Sequence, residues 1–305
     1  MERSAREISS YSSTSIEGNP LPLTEVKKIL KTKPVNIRNS QQEVLNYNQA
    51  LKSLNELITN KRASLSSQLI INIHKQVMAK LLPDFDIGKL RQKPVVVNNP
   101  RSGQVIYLPP DIEDVELLIN ELIEFINNSK RIIDPIILAG IFHKQMVIIH
   151  PFIDGNGRTT RLATKVLLAE MGLNTFNLFS FENFYNQNVA RYFQNVGEIG
   201  NYYDLKGKID FTKWLEYFTE GIIDELLRVE KLLPHVPFNP ETQLKPYHLK
   251  VIEYINHFGF IADRDYAKIV NRAKATRTQD FKRLIELGMI VRKGKGKGTY
   301  YVLKT

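Results

Sequence analysis

The chain has 305 residues, 43% hydrophobic and 24% charged, which suits one large soluble domain plus a smaller one. There is no cysteine, no apolar run of membrane-spanning length and no signal-peptide stretch in MERSAREISSYSS, so thiolate chemistry is excluded and a cytoplasmic protein without a membrane partner is expected. The formal charge is +10, but residues 241–305 hold 14 Lys+Arg against 6 Asp+Glu, which is +8 and points to a polyanion partner for that end.

The Ser-rich start, within residues 1–35, has poor helix propensity and by itself reads as a disordered terminus. Apolar residues then recur at helical spacing from about Gln41 to Asn60 and from Leu65 to Leu82, where Pro83 is a natural stop. Two β-branched runs, Pro94–Val97 and Gln104–Leu108, flank Asn98–Gly103 and predict a hairpin. Helices are expected after Pro109-Pro110-Asp111 through Asn128, after Asp134-Pro135 to His150, and from Asn156 to Met171, ended by Gly172. Further helical patterns cover about Glu182–Val196 and Phe211–Leu233, completing a mainly α domain over 36–233. Pro234, Pro237, Pro240 and Pro246 mark a linker over 234–246. Residues 247–305 give three short helical patterns (His248–His257, Ala262–Asn271, Ala275–Leu287) and two strand-like runs around a Gly/Lys turn.

The stretch His150-Pro-Phe-Ile-Asp-Gly-Asn-Gly-Arg-Thr-Thr-Arg161 carries the chemistry. Pro151 stops the preceding helix, so 150–157 is a loop, and Gly155 and Gly157 allow its backbone to approach a ligand. The next helix begins near Asn156 and offers free amides and the positive end of its dipole to an anion. Arg158 and Arg161 share a face of its first turn, where cations oppose the dipole unless a polyphosphate lies between them. Asp154 suits a magnesium ion bridging two phosphates, and His150 suits a proton acceptor. Phe152 is expected to pack in the core, and His143 and Lys144 to be core or solvent-facing. The alternative for each residue alone is a Gly-rich helix cap with surface arginines.

At these residues the chain resembles the Fic family, whose signature HxFx(D/E)GNGRxxR is met by His150, Phe152, Asp154, Gly155, Asn156, Gly157, Arg158 and Arg161. The resemblance implies a Fic-type helical core, with 94–108 as a flap on which a target protein docks. It implies transfer of AMP from ATP, with Mg²⁺, to a Ser, Thr or Tyr hydroxyl of a protein, including the chain itself, and release of pyrophosphate. His150 would be the base, Asp154 the metal ligand, and Gly155, Asn156, Gly157, Arg158 and Arg161 the phosphate site. One branch of the family has Lys-Arg at Gly157-Arg158 and acts as kinases, so the glycine argues for nucleotidyl transfer. Asn188, Tyr192 and Asn201 lie where members contact the base, although by themselves they read as helix-surface residues. Ser13-Thr-Ser-Ile-Glu17-Gly18 resembles the family's inhibitory motif, (S/T)xxxE(G/N), which implies that Glu17, one turn from Ser13, pairs with Arg161 as a brake. The alternative implied by some relatives is that the same glutamate serves removal of AMP from a modified protein.

The C-terminal pattern resembles a winged helix, with Arg277, Thr278, Gln279, Lys282 and Arg283 on the recognition helix, Lys274 just before it, and Arg292, Lys293, Lys295 and Lys297 on the wing. Duplex DNA is the expected partner of such a module, and protein docking or homodimerisation is the alternative. The rivals for the whole chain are a nucleotide-sensing DNA-binding regulator and transfer of another nucleotide or of phosphocholine.

Overall fold

A computed structural model describes residues 2–32, 34, 36–99, 102–173, 180–232, 244–294 and 296–304. The chain divides into two compact units, Met1–Glu230 and Lys231–Thr305. The architecture is mainly helical, as the periodicities predict. Among the described residues no helix is long and apolar enough to cross a membrane.

The first unit is organised around a helix none of whose residues is exposed. That is α6 (Pro135–Ile149), started by Asp134, whose side chain accepts from the Ile136 amide at 2.8 Å. A helix with no exposed residue has neighbours all round, and α6 packs against α5 (Ile112–Ser129) and α7 (Asn156–Glu170). Gly140 lets α11 (Thr212–Leu232) approach closely: a Cβ there would lie 2.6 Å from Leu215. The Gly140 carbonyl accepts from the buried Trp214 indole at 2.8 Å. α3 (Asn39–Thr59) and α4 (Ser67–Val77) complete the core, with Tyr47, Leu51, Leu54, Ile70, Ile73 and Val77 all buried.

The differences from the sequence reading are local. α4 stops at Val77, six residues before Pro83, because the chain leaves helical geometry at Met78 and turns left-handed at Lys80 (φ 62). The Glu182–Val196 pattern is two helices, α8 (Phe181–Gln187) and α9 (Val189–Val196), since the Asn188 side chain caps the second by accepting from the Arg191 amide at 3.0 Å. The hairpin forms as β1 (Val97–Asn98) and β2 (Val105–Leu108), shorter on its first side than Pro94–Val97. Pro100 and Arg101 of its turn lie outside the described residues. β2 also pairs in parallel with β3 (Gly200–Asn201), which leads into α10 (Tyr202–Leu205); no alternation of residues marks this two-residue strand.

The larger correction concerns the first 35 residues. Glu2–Ile16 form helix α1, wedged between α3 and α8, and Leu23–Thr32 form α2. Ser9, Ser10, Ser12, Ser13 and Thr14 are all buried. Their small size allows close helix approach, and Ser10 and Thr14 turn their hydroxyls onto the Arg6 and Ser10 carbonyls of their own helix, each at 2.8 Å. Tertiary packing overrides the poor propensity. The helix ends in a Schellman turn: Gly18 (φ 90) donates to the Ser15 carbonyl and Asn19 to the Thr14 carbonyl, at 2.9 and 3.1 Å.

In the second unit, α12 (Pro246–Phe258), α13 (Asp263–Ile269) and α14 (Lys274–Glu286) precede an antiparallel pair, β4 (Ile290–Lys293) and β5 (Tyr300–Leu303). Val251, Ile255, Ile261, Tyr266, Phe281, Leu284 and Ile290 form its core. Pro234, Pro237 and Pro240 of the expected linker lie outside the described residues, and Pro246 is the first residue of α12. Lys274, Thr278, Gln279, Lys282 and Arg283 are exposed, but Arg277 is not available to a ligand: Asp263 accepts from its Nε and Nη2, both at 2.8 Å. On β4, Arg292 and Lys293 are exposed; Lys295 lies outside the described residues.

One ion pair in the first unit is wholly buried. Lys165 Nζ lies 3.0 Å from Glu182 Oε2, and Tyr47 and Ser180 hydroxyls donate to the same carboxylate, as does Ser9 of α1. Removing one partner of such a pair costs about 3–5 kcal/mol. Lys165→Met is expected to lose that much in urea unfolding, and Lys165→Met/Glu182→Gln to regain at least half of it by removing the stranded charge.

Candidate active site

The site forms where the end of α6, the start of α7 and the hairpin meet. Ile149 closes α6, and His150 follows in the left-handed region at φ 50, ψ 60. That conformation costs a non-glycine residue about 1–3 kcal/mol unless its surroundings hold it. Here the His150 amide donates to the Met146 carbonyl at 3.1 Å, and the Arg91 Nε donates to the His150 carbonyl at 3.0 Å. The turn takes the imidazole off the helix and into the wall of a cavity of about 580 Å³. His150 Nδ1 lies 3.3 Å from the Val147 carbonyl, which can only accept, so Nδ1 carries the proton and Nε2 keeps its lone pair. Burial pushes the ring pKa down to about 4, aided by Arg91 and opposed by the Val147 carbonyl, Glu17 and Asp154. The ring is therefore neutral at pH 7.

The loop after His150 is held by neutral groups. Phe152 is fully buried, as expected, and stacks on His74 with ring centroids 3.9 Å apart. The Gly88 amide donates to His74 Nδ1 at 3.0 Å, so the ring proton sits on Nε2 and is donated to the Asp154 carbonyl, also at 3.0 Å. Asn156 spends its side chain on the loop as well: Oδ1 accepts from the Phe152 amide at 2.9 Å, and Nδ2 donates to the Phe152 carbonyl at 2.8 Å. What Asn156 offers a ligand is its backbone. Gly155 takes φ 76 against Met78, whose sulfur would lie 2.5 Å from any added Cβ.

The first helical bond of α7 runs from the Thr159 amide to the Gly155 carbonyl, so the amides of Asn156, Gly157 and Arg158 precede it and have no acceptor in the helix. Asn156 and Gly157 both line the cavity. Arg158 is buried; its Nη2 donates to Asp154 Oδ1 at 3.2 Å, Glu43 stands 3.9 Å from Nη1, and neither Nε nor Nη1 has a hydrogen-bond partner. The Asp154 side chain is 57% exposed. Among the described residues no cluster of His, Asp and Glu could hold a metal ion by itself.

Residues 64–168, which include this loop, match the Fic/DOC family. Residues 64–168 carry a Fic domain. The chain is 29% identical over 228 residues to a protein adenylyltransferase Fic of Nematostella vectensis, an alignment covering 73% of this chain and 49% of that protein. With the protein of that name from Aedes aegypti it shares 31% over 166 residues, 53% of this chain and 32% of the other. The chain thus spans half or less of the length of these curated relatives. A Fic family protein from Desulfovibrio desulfuricans G20 superposes with a TM-score of 0.64 at 20% identity, covering 99% of this chain and 87% of that one. Fic-1 (residues 134–508) of C. elegans superposes at 0.61 with 24% identity, covering 77% and 65%. These structures share the fold.

Outside the matched residues, the end of α1 closes one side of the cavity. Arg161 is fully buried; its Nε donates to Ser13 Oγ at 2.8 Å, and its Nη2 donates to the Ser13 carbonyl at 3.0 Å and to Glu17 Oε1 at 2.7 Å. Burial pulls the guanidinium pKa down, but Glu17, with Tyr192 and Tyr47, more than offsets this and holds it above its ordinary value. Its Nη1 has no partner. A Cβ at Gly157 would collide with the Glu17 carboxylate, so the glycine lets that side chain lie against the start of α7.

Of the residues tied to base contact, Tyr192 lines the cavity and is buried rather than on the helix surface, its hydroxyl 3.1 Å from His143 Nε2. Asn188 is exposed and does not line the cavity, its side chain being used as the α9 cap. Asn201 caps α10 by accepting from the Tyr203 amide at 2.9 Å. His143 and Lys144 are both buried, the latter paired with Glu198 at 2.6 Å. His74, Arg91 and Glu182 went unnoticed in the sequence because each sits in a helix or loop far from the signature and acts through the fold. Gly155→Ala is expected to cost about 1–3 kcal/mol in thermal unfolding, since it adds a left-handed alanine and a clash with Met78.

Proposed function

We propose that this chain is a protein adenylyltransferase held in check by its first helix. One observation carries the reading: Arg158 Nε and Nη1 and Arg161 Nη1 are buried donors without partners, beside a helix N-terminus and a neutral imidazole. Buried donors are seldom left unpaired, and a phosphate tail would satisfy them. The names of the relatives support AMP as the group transferred.

The oxygen of a Ser, Thr or Tyr hydroxyl on the target attacks the α-phosphorus of ATP, and its proton passes to His150 Nε2. The bond from that phosphorus to the bridging oxygen breaks, and pyrophosphate leaves with the electron pair. The amides of Asn156–Arg158 and the two guanidinium groups stabilise the charge gathering on the phosphates. Magnesium neutralises phosphate charge when bound, and Asp154 would hold it, because one exposed carboxylate next to a phosphate site is the donor set this ion uses with nucleotides. Tyr192, Phe193 and Val196 in the cavity wall offer apolar surface to a base. The target would dock along the flap, where Val96, Val105 and Leu108 are exposed.

Glu17 acts as the brake by holding Arg161 away from the outer phosphate. Glu17→Gly is expected to raise AMP incorporation at least about tenfold, the scale of one charge-assisted hydrogen bond, read as added mass on target or self with Mg²⁺ and each common NTP in turn. Glu17→Gly/His150→Ala should still bind ATP and transfer nothing. Equal activity with and without Glu17 removes the brake, and retained transfer without His150 removes the base.

The second unit would bind duplex DNA through the exposed side of α14 and through Arg292 and Lys293. The full chain is expected to retard duplex DNA in dilute buffer, with affinity falling steeply as salt rises. No retardation at low salt assigns that unit to protein docking.

A further inference from the structure

Arg91 is 2% exposed, yet its side-chain hydrogen bonds go to main-chain carbonyls and not to a carboxylate. Nε donates to the His150 carbonyl at 3.0 Å, and Nη2 donates to the Pro110 carbonyl. Its own amide donates to the Pro151 carbonyl at 2.9 Å. Burial lowers its pKa, and Asp111, Tyr203 and Tyr107 only partly offset this. Keeping a full cation in that position is costly, and a neutral donor would satisfy either carbonyl alone. What a guanidinium adds is a rigid fork that reaches two carbonyls on separate segments at once.

The segments concerned are the two that the proposed reaction must bring together. Arg91 stands just before the flap and Pro110 just after it, so one bond closes the base of the hairpin. The other holds the backbone of His150 in its left-handed turn. A second tie, from the Tyr107 hydroxyl of β2 to the Ile148 carbonyl at 3.1 Å, joins the flap to the end of α6 but leaves His150 itself untouched.

We infer that Arg91 is a positioning residue that fixes the His150 turn and the base of the flap as one unit. A hydroxyl carried in by a target on the flap then meets an imidazole already aimed at it. The inference rests on the adenylyltransferase reading for its kinetic consequence but not for its structural one.

The structural arm uses amide hydrogen exchange on the full chain with Arg91→Lys and Arg91→Gln. Lysine keeps the charge and loses the fork; glutamine loses both. In each, exchange over 104–108 and over 152–157 should rise together while α11 stays unchanged. A rise in only one segment, or in neither, overturns the coupling. Should both variants fail to fold, the wild-type protein answers the question: with added denaturant the two segments should exchange through one common opening, and separate openings overturn the proposal.

The kinetic arm is run in the Glu17→Gly background. Both variants should keep the KM for ATP within about twofold and lose at least about tenfold in kcat, as misplaced reacting groups do. Tyr107→Phe, which spares Arg91, should lose less than about threefold in kcat, since it leaves the aim of His150 intact. A kcat loss matched by lost ATP affinity, or an equal loss in Tyr107→Phe, overturns the positioning role. A silent Glu17→Gly parent would count against the adenylyltransferase reading alone, and the exchange arm would still decide for Arg91.

Discussion

Three cations project inward from one helix, and much of this molecule follows from the need to accommodate them. Arg158, Arg161 and Lys165 of α7 are all buried, and each unpaired charge in such a place costs several kcal/mol. Their pairing weakens along the helix. Lys165 has Glu182 at 3.0 Å in a site with no exposure on either side. Arg161 has Glu17 and Ser13 but keeps one unpaired nitrogen, and Arg158 has only Asp154 and a distant Glu43, with two unpaired nitrogens. The unsatisfied end is the end that opens on the cavity. A fold that satisfies charge deep in its core and leaves it wanting at a helix N-terminus has the makings of an anion site.

The same constraint accounts for α1. An apolar helix laid over the polar side of α7 would strand those cations, whereas a Ser-rich one supplies small hydroxyls, a carbonyl and a terminal carboxylate. Ser9 reaches the Lys165–Glu182 pair, and Ser13 and Glu17 reach Arg161. α1 therefore docks largely through polar contacts, which lose less on exposure to water than apolar ones would. That would suit the releasable brake proposed above.

The loop after α6 is held by a different class of interaction. His74, Asn156 and Arg91 grip the backbone of residues 150–156 through carbonyls and amides, and Phe152 anchors it by burial. Side chains facing the cavity are thereby left out of that framework. Rigid backbone and unspent side chains are what electrostatic preorganisation requires.

Much of the architecture was readable along the chain, because α3, α5, α6, α7 and α11 announce themselves by 3.6-residue periodicity and by Asp-Pro or Pro-Pro-Asp starts. The spacing of His150, Asp154, Gly155, Gly157, Arg158 and Arg161 likewise determined the character of the loop, since each residue type has its own conformational or ionic consequence within twelve positions. Tertiary structure alone decided the rest. Serines with poor helix propensity became a buried helix because α7 offered partners that no local rule contains. Arg277 looked available on α14 until Asp263, fourteen residues earlier, claimed it. His74 and Arg91 are ordinary residues in sequence and hold the loop only because folding brings them against carbonyls up to 80 positions away. Short-range chemistry is written in the order of residues; pairing across the fold depends on distances that the order does not carry.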